Sequence, residues 1–393
     1  MKPLLSIAAK TATGAWHSIW TFPAILGSSM MIAWAAESAQ FFLSQGLSLA
    51  ILAWIQTLPE FAVEAVIAWQ APRIPHGIEL VSANFTGSLR LLVGLGWPLI
   101  FFTAAFFYYK RYKKFFREIK LENEHSVEVM GLLVPQFYFV YIVAKGTLSV
   151  WDAIFLFMIY FLYIAILNKI PPKEMHDPEE EEWPIRKIVV MPPKRRNFTI
   201  AALFIVGAAI ILLTAEPFLH SLMALAVAMG VSQYVFIQWL APFLSEFPEK
   251  VSAFYWARKV KTAPMSVMNM VSSNINQWTM LAGMIPIVYA MSCGSLRPIV
   301  FDHHQKVELV LTILQSVLGF CFLVNMRFQW YEAAGLFVLW AYQFFVPSSR
   351  EEIIFVYAGW IVLEIFLWIF KIRKPRAFKK FARLWKEKIS LTS

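Results

Sequence analysis

Two prolines inside apolar runs are each followed by a glutamate. The first lies in "QTLPEFAVE" (residues 56–64) and the second in "LSEFPEKVSA" (residues 244–253). Proline removes a backbone N–H and clashes with the carbonyl four residues earlier, so a helix opens there. In a bilayer the freed carbonyls persist only where they are buried in protein or line a wet cavity. A carboxylate one residue later adds a hard anionic oxygen beside them, and hard cations such as Ca²⁺ take six to eight oxygens. Helical spacing puts Gln56, Glu60 and Glu64 on one stripe. In the second stretch, Ser245 and Glu246 lie four and three residues before Glu249, on its face. A single intramembrane carboxylate could instead pair with Arg90 or Lys250. A repeated Pro-Glu favours function, because ionisable groups in a membrane are costly.

The elements that must carry these residues follow from composition. Of 393 residues, 59% are hydrophobic and 15% charged, and mean hydropathy is +0.58; a soluble chain rarely combines these values. Apolar stretches long enough for a ~30 Å core recur at 17–42, 47–69, 81–108, 127–144, 147–168, 198–225, 231–257, 265–291, 307–326, 331–347 and 352–370. Eleven spans are therefore expected, the tenth being short. The net charge of +10 could suggest nucleic acid, but 26 of the 35 Lys and Arg fall in alternate connections and the tail. That asymmetry places the N-terminus outside and the C-terminus inside, with the lipid bilayer and inorganic cations as partners and no nucleic acid. The plasma membrane is the expected location, and no removable signal peptide is read. Cys293 and Cys321 are too few for a disulfide framework.

Residues 169–197 are rich in proline and charge and read as a solvated cytoplasmic linker, although their acidic cluster Glu179–Glu182 could sense a cation. The linker divides the chain into 1–168 (spans 1–5) and 198–347 (spans 6–10), with an extra span and basic tail at 348–393. The halves repeat one another. "AAESAQ" (Glu37) matches "TAEPFL" (Glu216), the two Pro-Glu motifs match, and "SANFTGSLRLLVGLG" matches "MNMVSSNINQWTMLAG". Glu128 then aligns with Glu308 and Asp152 with Glu332. Five spans per repeat is an odd number, so the second copy inserts inverted. Inverted repeats are a common plan of secondary transporters, whose sites lie where broken helices of the two halves meet. The fold class expected is an all-α polytopic membrane protein with two inverted five-helix repeats plus one extra C-terminal transmembrane helix.

These residues resemble the cation/calcium exchanger superfamily, whose repeats carry G-T-S-L-P-E in the second helix and G-N-x-x-G-S-N in the third. Here the copies read "IQTLPE" and "LSEFPE", then "SANFTGSL" (Asn84, Gly87, Ser88) and "MNMVSSNI" (Asn269, Ser272, Ser273, Asn274). The resemblance implies a central cation site built from Glu60 and Glu249 facing each other, with Thr57, Ser88 and Ser273 supplying hydroxyls or carbonyls. The chain departs from the pattern where Gln56–Thr57 and Ser245–Glu246 replace Thr-Ser, so Glu246 adds a carboxylate. Leu92 and Gln277 stand where relatives often place Asn or Asp. Arg90 in the third span could act as a fixed cation, could snorkel, or could pair with Glu64. The function implied is a cation antiporter, exchanging Ca²⁺ (or Na⁺) against Na⁺ or H⁺ by alternating access, without a cofactor. The alternative is a transport-inactive cation sensor or scaffold of the same fold. No HExxH or nucleophile motif accompanies the carboxylates, which argues against an enzyme. Asp302, His303 and His304 could hold a metal, but a solvated loop is the simpler reading.

Overall fold

The structure, a computed structural model, describes residues 14–42, 57–169 and 181–389. The first repeat comprises α1 (Ser18–Gln40), α2 (Leu58–Gln70), and α3 (Gly77–Leu91) continued through a π-turn (Leu92–Gly96) into α4 (Trp97–Tyr112). It ends with β1 (Glu118–Lys120), α5 (Ser126–Lys145), β2 (Thr147–Leu148) and α6 (Val150–Leu167). A short helix α7 (Trp183–Val189) precedes the second repeat. That repeat holds α8 (Pro193–Ala228), α9 (Gln233–Ser245), α10 (Phe247–Ala257), and α11 (Ala263–Asn276) continued through a π-turn (Gln277–Leu281) into α12 (Ala282–Cys293). Next come β3 (Ile299–Val300), α13 (His303–Leu323), β4 (Arg327–Gln329) and α14 (Trp330–Phe345). The extra helix α15 (Arg350–Ile369) and a basic amphipathic α16 (Arg376–Leu384) follow.

The repeat is visible in local details. Both third helices carry a π-turn, opening at Leu92 in one and Gln277 in the other. Both fifth helices start with a capping box closed by an acidic N3 residue, Asp152 with Ser149 and Glu332 with Gln329. The strands fix the relative sense of the copies. β1 precedes α5 as β3 precedes α13, while β2 follows α5 as β4 follows α13. Yet β1 pairs antiparallel with β4 (Glu118 opposite Gln329), and β2 with β3 (Thr147 opposite Val300). The start of α5 therefore lies beside the end of α13, and its end beside the start of α13. These two equivalent helices run in opposite directions, as inverted repeats require.

Among the described residues, seven helical stretches are long and apolar enough to cross a membrane: Gly14–Ala39, Gly77–Tyr112, Ser126–Lys145, Val150–Leu167, Pro193–Ala228, His303–Leu323 and Pro347–Ile369. The other four of the eleven expected spans depart for local reasons. The second is described only from Thr57, and the seventh divides at Glu246. The eighth is one helical run whose first half carries Ser266, Asn269, Ser272 and Asn274. The tenth, α14, has 16 residues, about 24 Å at 1.5 Å per residue. On α6, Trp151, Phe155, Met158 and Leu162 point outward, as on a helix facing lipid.

Two compact units draw on both repeats. One takes the described residues of 1–88, 174–249 and 284–297; the other takes those of 89–173, 250–283 and 298–393. In the first unit α8 lies along α1, with Thr21 Oγ1 2.8 Å from Ser221 Oγ and Phe22 edge-on to Phe218. Close approach there requires Gly207, since a Cβ would come within 2.9 Å of Ile32 Cγ1. Arg186, Lys187, Lys194 and Arg195 of the 169–197 linker are exposed, as its charge suggests, but the described end of its acidic cluster is not. Glu181 and Glu182 are buried, and Trp34 Nε1 donates to Glu182 Oε2 at 3.0 Å. Burial pushes the Glu182 carboxyl up, with the Trp34 hydrogen bond opposing. Glu179 and Glu180 lie outside the described residues.

In the second unit the core gathers around Trp97, Phe101, Phe139, Trp278 and Phe328. Phe139 meets the Trp278 ring at 4.6 Å. Asp152 accepts from Lys145 Nζ at 2.6 Å, and Arg373 bridges Glu364 (2.6 Å) and Glu332 (3.0 Å). Asp302 caps α13 through Gln305 N at 2.8 Å, so its carboxylate serves the helix end beside His303 and His304.

Candidate cation site

The second Pro-Glu breaks its span. Helix α9 ends at Ser245, Glu246 takes a turn conformation (φ −92°, ψ 4°), and α10 begins at Phe247 with Pro248 and Glu249 in its first turn. Pro248 lacks the N–H that would continue the helix, so the chain restarts there. In the first repeat α2 starts at Leu58, with Pro59 and Glu60 again in the first turn and buried Thr57 at the N-cap. Proline costs little at that position, because the first N–H groups of a helix have no partner within it. The positive end of the helix dipole favours a carboxylate at the same place.

Helix α3 brings hydroxyl and amide groups to these carboxylates. Ser88 Oγ lies 2.5 Å from Glu60 Oε1 and also meets Glu246 Oε1. One turn back along α3, Asn84 Nδ2 donates to Glu64 Oε2. Glu60 and Glu64 on α2 thus face Ser88 and Asn84 on α3, each pair i,i+4. All five side chains, Glu246 included, are at most 2% exposed. Glu64 Oε1 and Asn84 Oδ1 are buried acceptors without a hydrogen-bond partner. Gly87 permits this approach, because a Cβ there would lie 2.7 Å from the backbone carbon of Gln238 and nearer still to its carbonyl oxygen. Only a residue without a side chain lets α3 meet α9 at that depth.

The arrangement sharpens the pairing expected between repeats. Glu60 does meet a second-repeat carboxylate, but on Ser88 that group is Glu246. Glu249 is buried in the first turn of α10, and Ser245 is buried at the end of α9, its Oγ 3.3 Å from Pro242 O. Gln56 lies outside the described residues. In the second unit Ser273 and Gln277 are buried and Asn269 is half-buried, all on the α11 run. Arg90 is committed elsewhere than Glu64: it forms a fully buried ion pair with Glu308 and donates to Gln343 Oε1 at 3.1 Å. Arg350 of the extra helix reaches the other Glu308 oxygen at 2.7 Å.

Two buried amides escaped the sequence reading as candidates. Asn274 on α11 and Gln136 on α5, both at most 1% exposed, leave both side-chain amide atoms without partners. Both belong to the second unit, where α5 packs on α11. The signal for Gln136 was present, a glutamine directly after Pro135 inside the apolar run "LLVPQFYFV".

The oxygens gathered by α2, α3 and the α9–α10 break are of the type that hard cations accept. Among the described residues no group of three His, Cys, Asp or Glu side chains forms a ready metal cluster; the set here mixes carboxylates with a hydroxyl and an amide. A model of the family described as "Sodium/calcium exchanger protein" matches residues 15–168 and 199–347. The chain belongs to the sodium/calcium exchanger family. The two matched segments correspond to the two repeats. The crystal structure of the H⁺/Ca²⁺ exchanger CAX is similar at a TM-score of 0.85 and 30% identity, covering 99% of this chain and 95% of that one. The sodium-calcium exchanger NCX_Mj, soaked with Na⁺ and Sr²⁺, shares the fold at a TM-score of 0.54 and 17% identity, covering 86% and 99%. Comparison with curated protein sequences gave no match. The chain is accordingly a membrane exchanger of cations in its general class, with the all-α two-repeat fold of that family.

Proposed function

We propose that this exchanger moves Ca²⁺ against H⁺ at a site centred on Glu60, Ser88 and Glu246, with Glu64 and Asn84 beside it. The observation that carries the reading is the meeting of two carboxylates from different repeats on one hydroxyl. Ser88 has a single proton to donate. With both carboxylates ionised, one of its two short oxygen contacts has no proton and is repulsive. The arrangement is relieved when a carboxyl supplies the missing proton, or when a cation lies among the oxygens. Protons and a metal ion are thereby alternative occupants of the same place.

Charge balance follows from the donor set. Glu60 and Glu246 together carry two negative charges, which one Ca²⁺ or two H⁺ neutralise, so exchange through this pair alone is electroneutral. The unpartnered oxygens Glu64 Oε1 and Asn84 Oδ1 add ligands of the kind Ca²⁺ accepts. The likeness to an H⁺/Ca²⁺ exchanger at 30% identity supports protons over Na⁺ as counter-ion. Glu249, Thr57, Gln56, Ser245, Ser273, Asn269 and Gln277 are proposed as the further polar lining met during alternating access. Arg90, tied to Glu308, holds the third helix rather than replacing a bound ion. The chain is proposed to sit in the plasma membrane with its N-terminus outside and its basic tail in the cytoplasm.

Reconstitution tests this. Vesicles containing the protein should take up ⁴⁵Ca²⁺ when an outward H⁺ gradient is imposed, and their interior should alkalinise in step. Uptake that ignores the pH gradient but follows a Na⁺ gradient would assign sodium as the counter-ion. Cation binding without any flux would identify the inactive sensor instead.

A further inference from the structure

A cavity of about 580 Å³ opens beside the C-terminal half of α2, lined among others by Trp69, Gln70, Arg73, Glu216 and His220. The hydroxyl of Ser292 on α12 donates to Trp69 O at 2.5 Å and ties the end of α2 in place. Glu216 and His220 stand one turn apart on α8, an i,i+4 pair with side chains 67% and 58% exposed. Gln70 lies opposite them, 9% exposed, with its Oε1 buried and without a partner. Its Nε2 is 3.2 Å from Glu216 Oε1 and 3.3 Å from His220 Nε2, and those two atoms are 3.8 Å apart.

We propose that Gln70, Glu216 and His220 form a second cation site, one for a borderline divalent ion of the Zn²⁺ class. The three inner atoms make a near-equilateral triangle. Donors of a tetrahedral zinc site with bonds of about 2.05 Å stand about 3.3 Å apart, which matches the two shorter edges. The nitrogen and oxygen of a glutamine amide exchange places by a half-turn that coordinates alone do not fix. With that half-turn, Gln70 Oε1 leaves its unpartnered position and becomes the third ligand, beside the imidazole nitrogen and the carboxylate. So turned, the amide oxygen would replace the nitrogen that now donates to Glu216, and a cation between the two oxygens would hold both. The imidazole selects a borderline ion over Ca²⁺, whose ligands are oxygens. Arg73 is the remaining charged group lining the cavity; its guanidinium is stacked over Trp69 at 4.6 Å and opposes the bound cation by its charge.

This site does not depend on the reading of Glu60, Ser88 and Glu246. The imidazole ligates through its neutral ring nitrogen. The test is isothermal titration of Zn²⁺ into the full-length protein in detergent, as wild type and with Glu60→Gln and Glu246→Gln together. His220→Ala and Glu216→Gln should each weaken one Zn²⁺ site at least tenfold in both backgrounds. His304→Ala should not, and Arg73→Ala should tighten it. Unchanged affinity in both His220→Ala and Glu216→Gln, or an equal loss in His304→Ala, overturns the proposal. Because both side chains are largely exposed, the variants should remain monodisperse, and gel filtration checks that they do.

Discussion

Gly87→Ala tests how closely the third helix must approach the broken seventh span. The added methyl carbon would fall under 3.0 Å from three atoms of Gln238, two of them backbone. Backbone cannot turn aside as a flexible side chain can, so α3 must withdraw from α9. Ser88 is the next residue, and its hydroxyl holds Glu60 at 2.5 Å while meeting Glu246. A withdrawal of about 1 Å takes such O–H···O contacts beyond bonding range. Each hydrogen bond to a charged group contributes about 1.5–3 kcal/mol, so losing one corresponds to a ten- to hundredfold weaker site. Overpacking itself costs about 1–3 kcal/mol of stability. Gly27→Ala is the control, because a Cβ there meets nothing within 4 Å. Gradient-driven Ca²⁺ uptake should fall at least tenfold in Gly87→Ala, fall similarly in Ser88→Ala, and stay at wild-type level in Gly27→Ala. Wild-type uptake by well-folded Gly87→Ala protein would refute the requirement for close helix approach.

Three further outcomes follow from the same structure. Glu308 carries Arg90 on one oxygen and Arg350 on the other. Glu308→Gln should therefore cost about 3–5 kcal/mol and lower the detergent unfolding midpoint more than Arg350→Gln, which leaves the Arg90 pair intact; the reverse order would show that the cluster is not held by its carboxylate. His125 is buried beneath α16 and lies near Lys380, and both effects push its imidazole down to about 4. The unfolded state, titrating near 6.5, then binds more protons, so stability is full above pH 6.5 and declines by about 3 kcal/mol as the pH falls towards 4. His125→Gln should flatten the midpoint-versus-pH curve in that window, and an unchanged slope would remove His125 as its source. Asn84→Ala deprives buried Glu64 of its donor. It should reduce apparent Ca²⁺ affinity at least tenfold while leaving the folded yield nearly intact, and equilibrium ⁴⁵Ca²⁺ binding would report it.

Much of the architecture was legible because its causes are local. Proline interrupts a helix whatever surrounds it, so the duplicated Pro-Glu located both α2 and the α9–α10 break. The order of landmarks from Glu37 to Glu332 revealed the repeat, and odd span number implied the inversion that the swapped strand pairs display. Local reasoning failed where geometry crosses the break. Placing Glu246 and Glu249 on one helical face assumes a continuous helix, yet Glu246 sits at the turn between two half-helices, free to aim at Ser88. Arg90 could not be assigned to Glu308, because the partner is 218 residues away and only packing of α13 beside α3 unites them. The π-turns at Leu92 and Gln277 are an alternative hydrogen-bonding pattern that no single residue type announces. The burial of Glu181 and Glu182 runs against their composition, and Glu182 takes a hydrogen bond from Trp34, 148 residues earlier on α1.

The central claim is that Glu60 and Glu246, from opposite repeats, hold either a metal ion or protons. Its most direct measurement is counterflow in proteoliposomes, following ⁴⁵Ca²⁺ and internal pH together for wild type, Glu60→Gln, Glu246→Gln and the double variant. The account predicts coupled Ca²⁺ entry and H⁺ exit in wild type and loss of both in every variant, with Glu249→Gln as a parallel test of its place in the pathway. Coupled exchange that survives in the double variant would contradict it.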